Sequence, residues 1–228
     1  MKNEYMNISY SNSDIILTPN EGYDNVIIWL HGLGDSAYGF LEMFMSSSRP
    51  VPNRTKCILL TAAKAPVTLN GGFEMNSWYD IYSLDKDDED AVNQSDVEKS
   101  TQKVIAVIEE EAKLVKSYKN IVLGGFSQGA CITLNIALTY KNLLNCYIVL
   151  SGLLFPFTVI ENKTINLFIC HGVYDEVIPE ALAMFSYDRL STNGLSYTYN
   201  NFPIGHTIDT KEISQMKLFV EENLYSES

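Results

Sequence analysis

The sequence lacks a long apolar run, and no stretch approaches the ~18 consecutive apolar residues that a membrane-spanning helix requires. Basic residues are also few, since 16 Lys and Arg stand against 28 Asp and Glu, giving a net charge of −12. A chain this acidic is repelled by phosphate backbones and by anionic lipid surfaces, so we expect no nucleic-acid partner and at most transient membrane association. Prolines number only seven and hydrophobic residues make up 46%, a composition that indicates a globular protein rather than a disordered one.

The sequence has only four cysteines, and they do not have the spacing of metal ligands. They are Cys57, Cys131, Cys146 and Cys170. Each lies in or beside an apolar run, where cysteine behaves as a small buried hydrophobe. We therefore expect no metal, no cofactor and a reduced environment. Residues 1–13 are polar and lack the basic and apolar segments of a secretion signal, and neither end carries a lipidation motif. The sequence thus predicts a cytoplasmic protein.

Short β-branched runs alternate with longer helix-like stretches from residue 25 onward, a pattern typical of strands joined by helical crossovers in a mostly parallel sheet. We expect one α/β domain covering residues 1–228, with an edge hairpin or irregular lead-in at 8–18. The apolar runs predicted as buried strands are 26–30, 57–60, 121–123, 147–150 and 167–170.

Helices are predicted between these strands. Residues 95–117 place apolar side chains at three- and four-residue spacing, which makes one stripe on a long helix that covers a sheet face. Residues 179–190 and 209–224 follow the same pattern, with Pro179 in a first turn and Asp209 as a cap. The charged run DKDDED at 85–90 is interpreted as a solvated loop before the long helix.

The clearest chemical signal is the segment IVLGGFSQGA at 121–130, in which a strand leads into G-x-S-x-G and then into a helix. Glycines two residues either side of Ser127 allow a turn too tight for side chains. The hydroxyl is then held above the sheet edge at a helix start, where N–H groups favour negative charge. We interpret Ser127 as a nucleophile, the alternative being a purely structural glycine-rich turn.

A serine hydroxyl needs a base, and the chain has three histidines. In a chain of this architecture the order is serine, then acid, then histidine. His206 fits, because it follows the strand-like residues 196–200 and precedes the last helix. His31 and His171, beside predicted strands, are expected to support their turns.

The acid that orients the base must be a carboxylate fixed at the end of a strand. Asp175 meets this requirement, because it lies in the turn between the strand ending near residue 170 and the helix that starts near Pro179. Glu176 and Asp188 are interpreted as solvated surface charges.

Two backbone N–H groups are needed to stabilise the oxyanion of a tetrahedral intermediate. One is predicted from Gln128, directly after the nucleophile, and the other from Leu33 in the loop HGLGD at 31–35, where two glycines allow the backbone to bend.

Together these motifs resemble the acyl-protein thioesterase family, a lysophospholipase and carboxylesterase group of small α/β-hydrolases. The motifs that carry the resemblance are HGLGD at 31–35, PVTLN at 66–70, SWYD at 77–80, GGFSQG at 124–129 and HGVYD at 171–175. The resemblance implies an α/β-hydrolase fold without a separate cap domain. It also implies a serine hydrolase that cleaves the thioesters joining long acyl chains to protein cysteines, and that cleaves lysophospholipids in addition.

Ser127, Asp175 and His206 match the family's triad, and Leu33 and Gln128 match its oxyanion donors.

The segment 69–78 matches the loop that lines the acyl channel in this family. It carries Leu69, Phe73, Met75 and Trp78, while Asn-Gly-Gly at 70–72 interrupts any regular element, so a flexible apolar pocket is expected. The alternative is that these side chains plug the core beneath a loop. Leu154 is also expected at the pocket, in a segment where relatives commonly carry Trp.

Two other functions stay open from the sequence. One is a general carboxylesterase acting on small or short-chain esters, and the other is an inactive hydrolase fold that only binds acylated partners. The complete serine, acid and histidine set argues against the second. The sequence leaves the oligomeric state open.

Overall fold

An eight-stranded, mostly parallel sheet forms the centre of the computed structural model, which describes residues 6–83 and 90–225. Its order is β1-β2-β4-β3-β7-β8-β9-β10, and β5 and β6 form a separate two-stranded sheet. The strands are β1 (Met6–Ser11), β2 (Asp14–Pro19), β3 (Asn25–Leu30), β4 (Thr55–Leu60), β5 (Lys64–Val67), β6 (Phe73–Asn76), β7 (Ile121–Phe126), β8 (Cys146–Leu150), β9 (Leu167–Gly172) and β10 (Thr198–Phe202). The predicted parallel sheet is thus confirmed.

The central strands are apolar along their whole length because both faces of the sheet are covered. Every residue of β3, β4, β8 and β9 is buried. The strand pairs β3–β4, β3–β7, β7–β8, β8–β9 and β9–β10 are all parallel.

The N-terminal part forms the predicted edge hairpin, in which β1 pairs antiparallel with β2. The turn between them places Asn12 in the left-handed region, with φ 55°. β2 also pairs antiparallel with β4, so the hairpin covers the edge of the parallel strands.

The helices are α1 (Ala37–Met45), α2 (Gln94–Val115), α3 (Gln128–Thr139), α4 (Glu180–Thr192) and α5 (Thr210–Tyr225). Apolar residues of α2, α3 and α4 pack on one sheet face, and those of α1 and α5 pack on the other. Sequence reasoning located α2 to α5 and missed α1, whose interior contains Gly39, a residue that lowers helix propensity. The charged run at 85–90 falls outside the described residues except for Asp90.

Parallel strands bring the loops that follow them to one edge of the sheet. The segments after β3, β7, β9 and β10 therefore meet there, although they come from distant parts of the chain. In the described part of the chain, no helix is both long enough and apolar enough to cross a membrane.

Candidate active site

Ser127 lies in the tight turn between β7 and α3, with φ 53° and ψ −120°. A positive φ of this kind is unfavourable for a residue with a side chain, and such strain is typical of functional positions. The flanking glycines are required by close approach. A Cβ on Gly125 would lie 2.6 Å from the Gly129 carbonyl oxygen, and one on Gly129 would lie 2.6 Å from the His31 carbonyl oxygen. The turn thus holds the Ser127 hydroxyl at the edge of the sheet.

Three side chains from separate loops meet at this turn. His206 Nε2 lies 2.9 Å from Ser127 Oγ, and His206 Nδ1 lies 2.7 Å from Asp175 Oδ2. The Phe126 ring packs against the imidazole, with centroids 4.8 Å apart. The carboxylate accepts from Nδ1–H, so Nε2 carries a lone pair toward the serine hydroxyl and can accept its proton.

The Asp175 carboxylate is fully buried and fixed by its own turn. Its Oδ1 accepts hydrogen bonds from the backbone N–H groups of Val177 at 2.9 Å and Ile178 at 2.8 Å. These bonds leave Oδ2 directed at the imidazole of His206.

His171 lies behind this turn and is completely buried. Its Nε2 donates to the Ile178 carbonyl oxygen at 2.8 Å and lies 3.4 Å from Asp175 Oδ2. His171 therefore contacts the acid, whereas the imidazole that lies within hydrogen-bond distance of Ser127 Oγ is that of His206.

Leu33 and Gln128 line the same cavity as Ser127 and His206. The Gln128 side chain points away from the serine into the core, where Oε1 accepts from the Trp78 backbone N–H at 2.8 Å and Nε2 donates to the Tyr79 carbonyl at 2.7 Å. The side chain of Gln128 is thus occupied in the core, and the oxyanion roles of the Leu33 and Gln128 backbone N–H groups stay predictions.

A cavity of about 880 Å³ opens beside Ser127. Its walls include the segment after β5, the segment after β8, the residues that follow Asp175 and part of α4. Its apolar lining includes Leu69, Leu153, Leu154, Phe155, Val177 and Phe185.

The structure places only two of the five predicted pocket residues, Leu69 and Leu154, in this wall. Phe73 is 75% exposed on β6, and a Cβ on Gly34 would lie 3.6 Å from Met75 Sδ. Trp78 is buried, and its ring packs against His31 with centroids 5.2 Å apart. Trp78 therefore fills the core beneath the loop, which was the alternative to a place in the pocket wall.

Sequence reasoning missed Val177 and Phe185, which line the cavity although both are more than half exposed. A signal for them exists in the sequence. Val177 is an apolar residue two positions after the acid, and Phe185 is a large apolar residue on a short amphipathic helix.

All four cysteines are free and buried, as expected. Burial raises the pKa of the Cys57 thiol to about 12 and also raises the pKa values of the Cys131, Cys146 and Cys170 thiols. Among residues 6–83 and 90–225, no three His, Cys, Asp or Glu side chains converge as a metal site would require.

The parallel sheet, the strained serine turn and the residues gathered at the strand ends define an α/β-hydrolase. The chain belongs to the phospholipase/carboxylesterase family, whose model matches residues 12–224. It is 33% identical over 205 residues to acyl-protein thioesterase 1 homolog 1 of Dictyostelium discoideum, covering 87% of this chain and 90% of that protein.

Other relatives agree with this assignment. A probable carboxylesterase of Oryza sativa subsp. japonica is 32% identical over 206 residues, covering 87% of this chain and 77% of that protein. The crystal structure of Zea mays acyl-protein thioesterase 2 superposes with a TM-score of 0.80 at 26% identity, covering 94% of this chain and all of that one. The predicted resemblance and the α/β-hydrolase fold are confirmed.

Proposed function

We propose that this protein is a single-domain serine hydrolase that removes long-chain acyl groups from S-acylated protein cysteines, with Ser127 as nucleophile, His206 as base and Asp175 as orienting acid. The observation that carries the proposal is the hydrogen-bonded series Ser127–His206–Asp175 at the mouth of an apolar cavity of about 880 Å³.

Acylation begins when Ser127 Oγ attacks the thioester carbonyl carbon while His206 Nε2 takes the hydroxyl proton. Asp175 stabilises the imidazolium through its bond to Nδ1–H. The carbonyl electron pair moves onto oxygen, where the N–H groups of Leu33 and Gln128 stabilise the oxyanion. When the intermediate collapses, the C–S bond breaks and the imidazolium protonates the leaving thiolate.

Deacylation repeats these steps with water. His206 takes a proton from a water molecule, the hydroxide attacks the acyl-enzyme carbonyl, and the Ser127 oxygen leaves with the proton that His206 returns. The products are a fatty acid and the free serine. Every proton transferred in this cycle passes through Nε2 of His206.

The cavity supports a long acyl chain as the substrate group. Each methylene moved from water to an apolar wall contributes ~0.8 kcal/mol, so a cavity lined by leucine and phenylalanine side chains favours longer chains. The relatives named acyl-protein thioesterase agree with this substrate class. Lysophospholipids, which also carry one long acyl chain, are proposed as additional substrates.

The proposal is tested by comparing kcat/KM for acyl thioesters of increasing chain length with that for matched oxyesters. We expect kcat/KM to rise with chain length and to be higher for thioesters. A preference for short oxyesters would favour instead the general carboxylesterase that the rice relative suggests.

The matched control is Ser127→Ala, which removes one oxygen from the turn beside the cavity and leaves the apolar core intact. We expect loss of labelling by a fluorophosphonate probe and a fall in kcat of up to about 10⁶, as for serine deletions in other triads. An unlabelled wild-type protein would exclude the serine mechanism altogether and would favour a protein that only binds acylated partners.

A further inference from the structure

His31 is completely buried directly behind the loop that carries Leu33. Its Nδ1 lies 2.5 Å from the Gly32 carbonyl oxygen, and its Nε2 lies 3.0 Å from the Ala62 backbone N–H. Both ring nitrogens therefore have a backbone partner.

These partners determine the protonation of the ring. A carbonyl oxygen only accepts and an N–H only donates, so Nδ1 carries the proton and Nε2 carries the lone pair. Burial also lowers the pKa of His31, which keeps the ring neutral. The imidazole is thus a neutral, buried donor whose one N–H is bound to the Gly32 carbonyl oxygen.

The Gly32 carbonyl belongs to the same peptide group as the Leu33 N–H. In a trans peptide these two bonds point in opposite directions, and the described backbone contains no cis peptide. A group that holds the carbonyl from behind therefore directs the N–H forward. Gly32 lies against the nucleophile, since a Cβ there would be 3.2 Å from the Ser127 Cβ.

The rest of the loop is fixed from its other side. Trp78 Nε1–H donates to the His31 carbonyl at 2.8 Å. Asn76 accepts from the Gly34 N–H at 2.8 Å through its backbone carbonyl and donates to the Asp35 carbonyl at 2.7 Å through Nδ2. The Gly32 carbonyl accepts two hydrogen bonds, one from the Asp35 N–H at 3.2 Å and the shorter one from His31 Nδ1–H at 2.5 Å. The Asp35 bond closes the turn of the loop itself, so His31 is the side chain that holds the Gly32–Leu33 peptide from outside the loop backbone.

We propose that His31 is a positioning residue for the oxyanion site, whose Nδ1–H bond to the Gly32 carbonyl directs the Leu33 N–H at the carbonyl oxygen of the substrate. This inference rests on the proposed function. It assigns a histidine outside the Ser127–His206–Asp175 series to transition-state stabilisation without direct contact to the substrate.

The test uses three variants of the full-length protein with p-nitrophenyl butyrate as substrate. His31→Gln and His31→Phe remove the Nδ1–H donor, while His31→Asn retains an N–H donor near the position of Nδ1. Because removing one oxyanion donor costs about 10²–10³ in kcat, we expect misdirecting one to lower kcat about 10- to 100-fold in the Gln and Phe variants. We expect KM to stay within about two-fold, and Asn to recover most of kcat.

A second readout separates positioning from a general structural role. A trifluoromethyl ketone forms a hemiketal with Ser127 whose oxyanion needs the same N–H groups, so its inhibition constant should rise in the Gln variant by the same factor as kcat falls. The pH profile of kcat/KM should keep its shape, because His206 is unchanged. Tyr147→Phe is the matched control, since it removes a buried bond to the Leu144 N–H at the opposite end of the sheet.

The outcomes are distinguishable. A folded His31→Gln protein with unchanged kcat and unchanged ketone affinity would overturn the positioning role alone. If His31→Phe fails to fold, the comparison of Gln with Asn decides the question. A wild-type protein that neither hydrolyses the ester nor binds the ketone would instead reject the proposed function, and this inference with it.

Discussion

The Asp175 carboxylate and the Ile178 backbone are joined by a 2.8 Å hydrogen bond, so the same turn orients the acid and forms part of the cavity wall. Oδ1 holds the turn, while Oδ2 faces His206. The two oxygens have separate tasks, and a substitution can disturb one task and leave the other.

Asp175→Asn should separate them. The Asn oxygen can still accept from the Val177 and Ile178 N–H groups, so the turn and the fold should persist. The amide NH₂ would then face His206 Nδ1 and favour the tautomer with the proton on Nε2, which cannot accept the serine proton. Kinetic analysis should show kcat lowered by about 10⁴, as the equivalent change does in serine proteases, with an unchanged melting temperature. A large loss of stability would show instead that the carboxylate charge holds the turn.

Selectivity for acyl length should depend on Leu69 and not on Phe73. Leu69 lines the cavity, whereas Phe73 is 75% exposed and lies outside the lining. Leu69→Ser should lower kcat/KM for long acyl thioesters several-fold and spare short esters, which do not reach the altered wall. Phe73→Ser on the same hairpin is the control, and both variants are measured at substrate concentrations below those at which the acyl thioester forms micelles. Equal losses from both changes would show that the hairpin acts through its fold.

Stability should depend on an ion pair between β4 and α2. Lys56 Nζ lies 2.6 Å from Glu111 Oε1, with the two side chains only 11% and 9% exposed. Glu111→Ala leaves a buried, unpaired ammonium and should lower the free energy of unfolding by about 3–5 kcal/mol in urea titrations. The double variant Lys56→Met with Glu111→Leu should recover most of this loss. A double variant as unstable as the single one would point to packing rather than charge.

Stability should also fall as the pH rises through about 8, because of Glu212. Burial raises the pKa of this carboxyl from 4.5 to about 8 in the folded protein. A hydrogen bond from the Asp209 backbone lowers the pKa in part, and the negative charge of Asp209 raises it by a smaller amount. The folded state therefore binds more protons than the unfolded state between these two values, so the stabilisation is complete below pH 4.5 and is lost as the pH passes 8.

Glu212→Gln removes this dependence, because the amide does not titrate. Urea unfolding at pH 5 and pH 9 should show a decrease on the order of a few kcal/mol in the wild type and a smaller one in the variant. Parallel pH dependence in the two proteins would mean that another group is responsible.

The sequence predicts the serine turn well because its determinants are local. Gly125 and Gly129 lie within two residues of Ser127, and their requirement follows from the close backbone approach alone. The buried strands are also local signals, since an uninterrupted apolar run indicates a strand covered on both faces.

The pocket could not be derived in the same way. Trp78 is an apolar residue in an apolar loop, and only its hydrogen bond to His31, 47 positions away in the chain, shows that it belongs to the core. The glycines at 71 and 72 interrupt regular structure as expected, with φ 67° and 79°, and the sequence did not show that this interruption is the turn between two paired strands, β5 and β6. The position of Phe185 depends on which face of α4 turns toward the site, which tertiary packing decides.

Because His206 follows β10, ester hydrolysis requires β10 to be paired with the sheet. Within the part of the chain that the structure describes, β10 pairs with β9 alone, at the outer edge of the sheet. His206 lies just after β10, whereas Ser127 lies at the centre of the sheet. During refolding, the serine turn can therefore form before its base arrives. Ester hydrolysis should recover when β10 pairs with β9. The delay between the recovery of the far-UV circular dichroism signal and the recovery of activity would measure the time that this pairing takes.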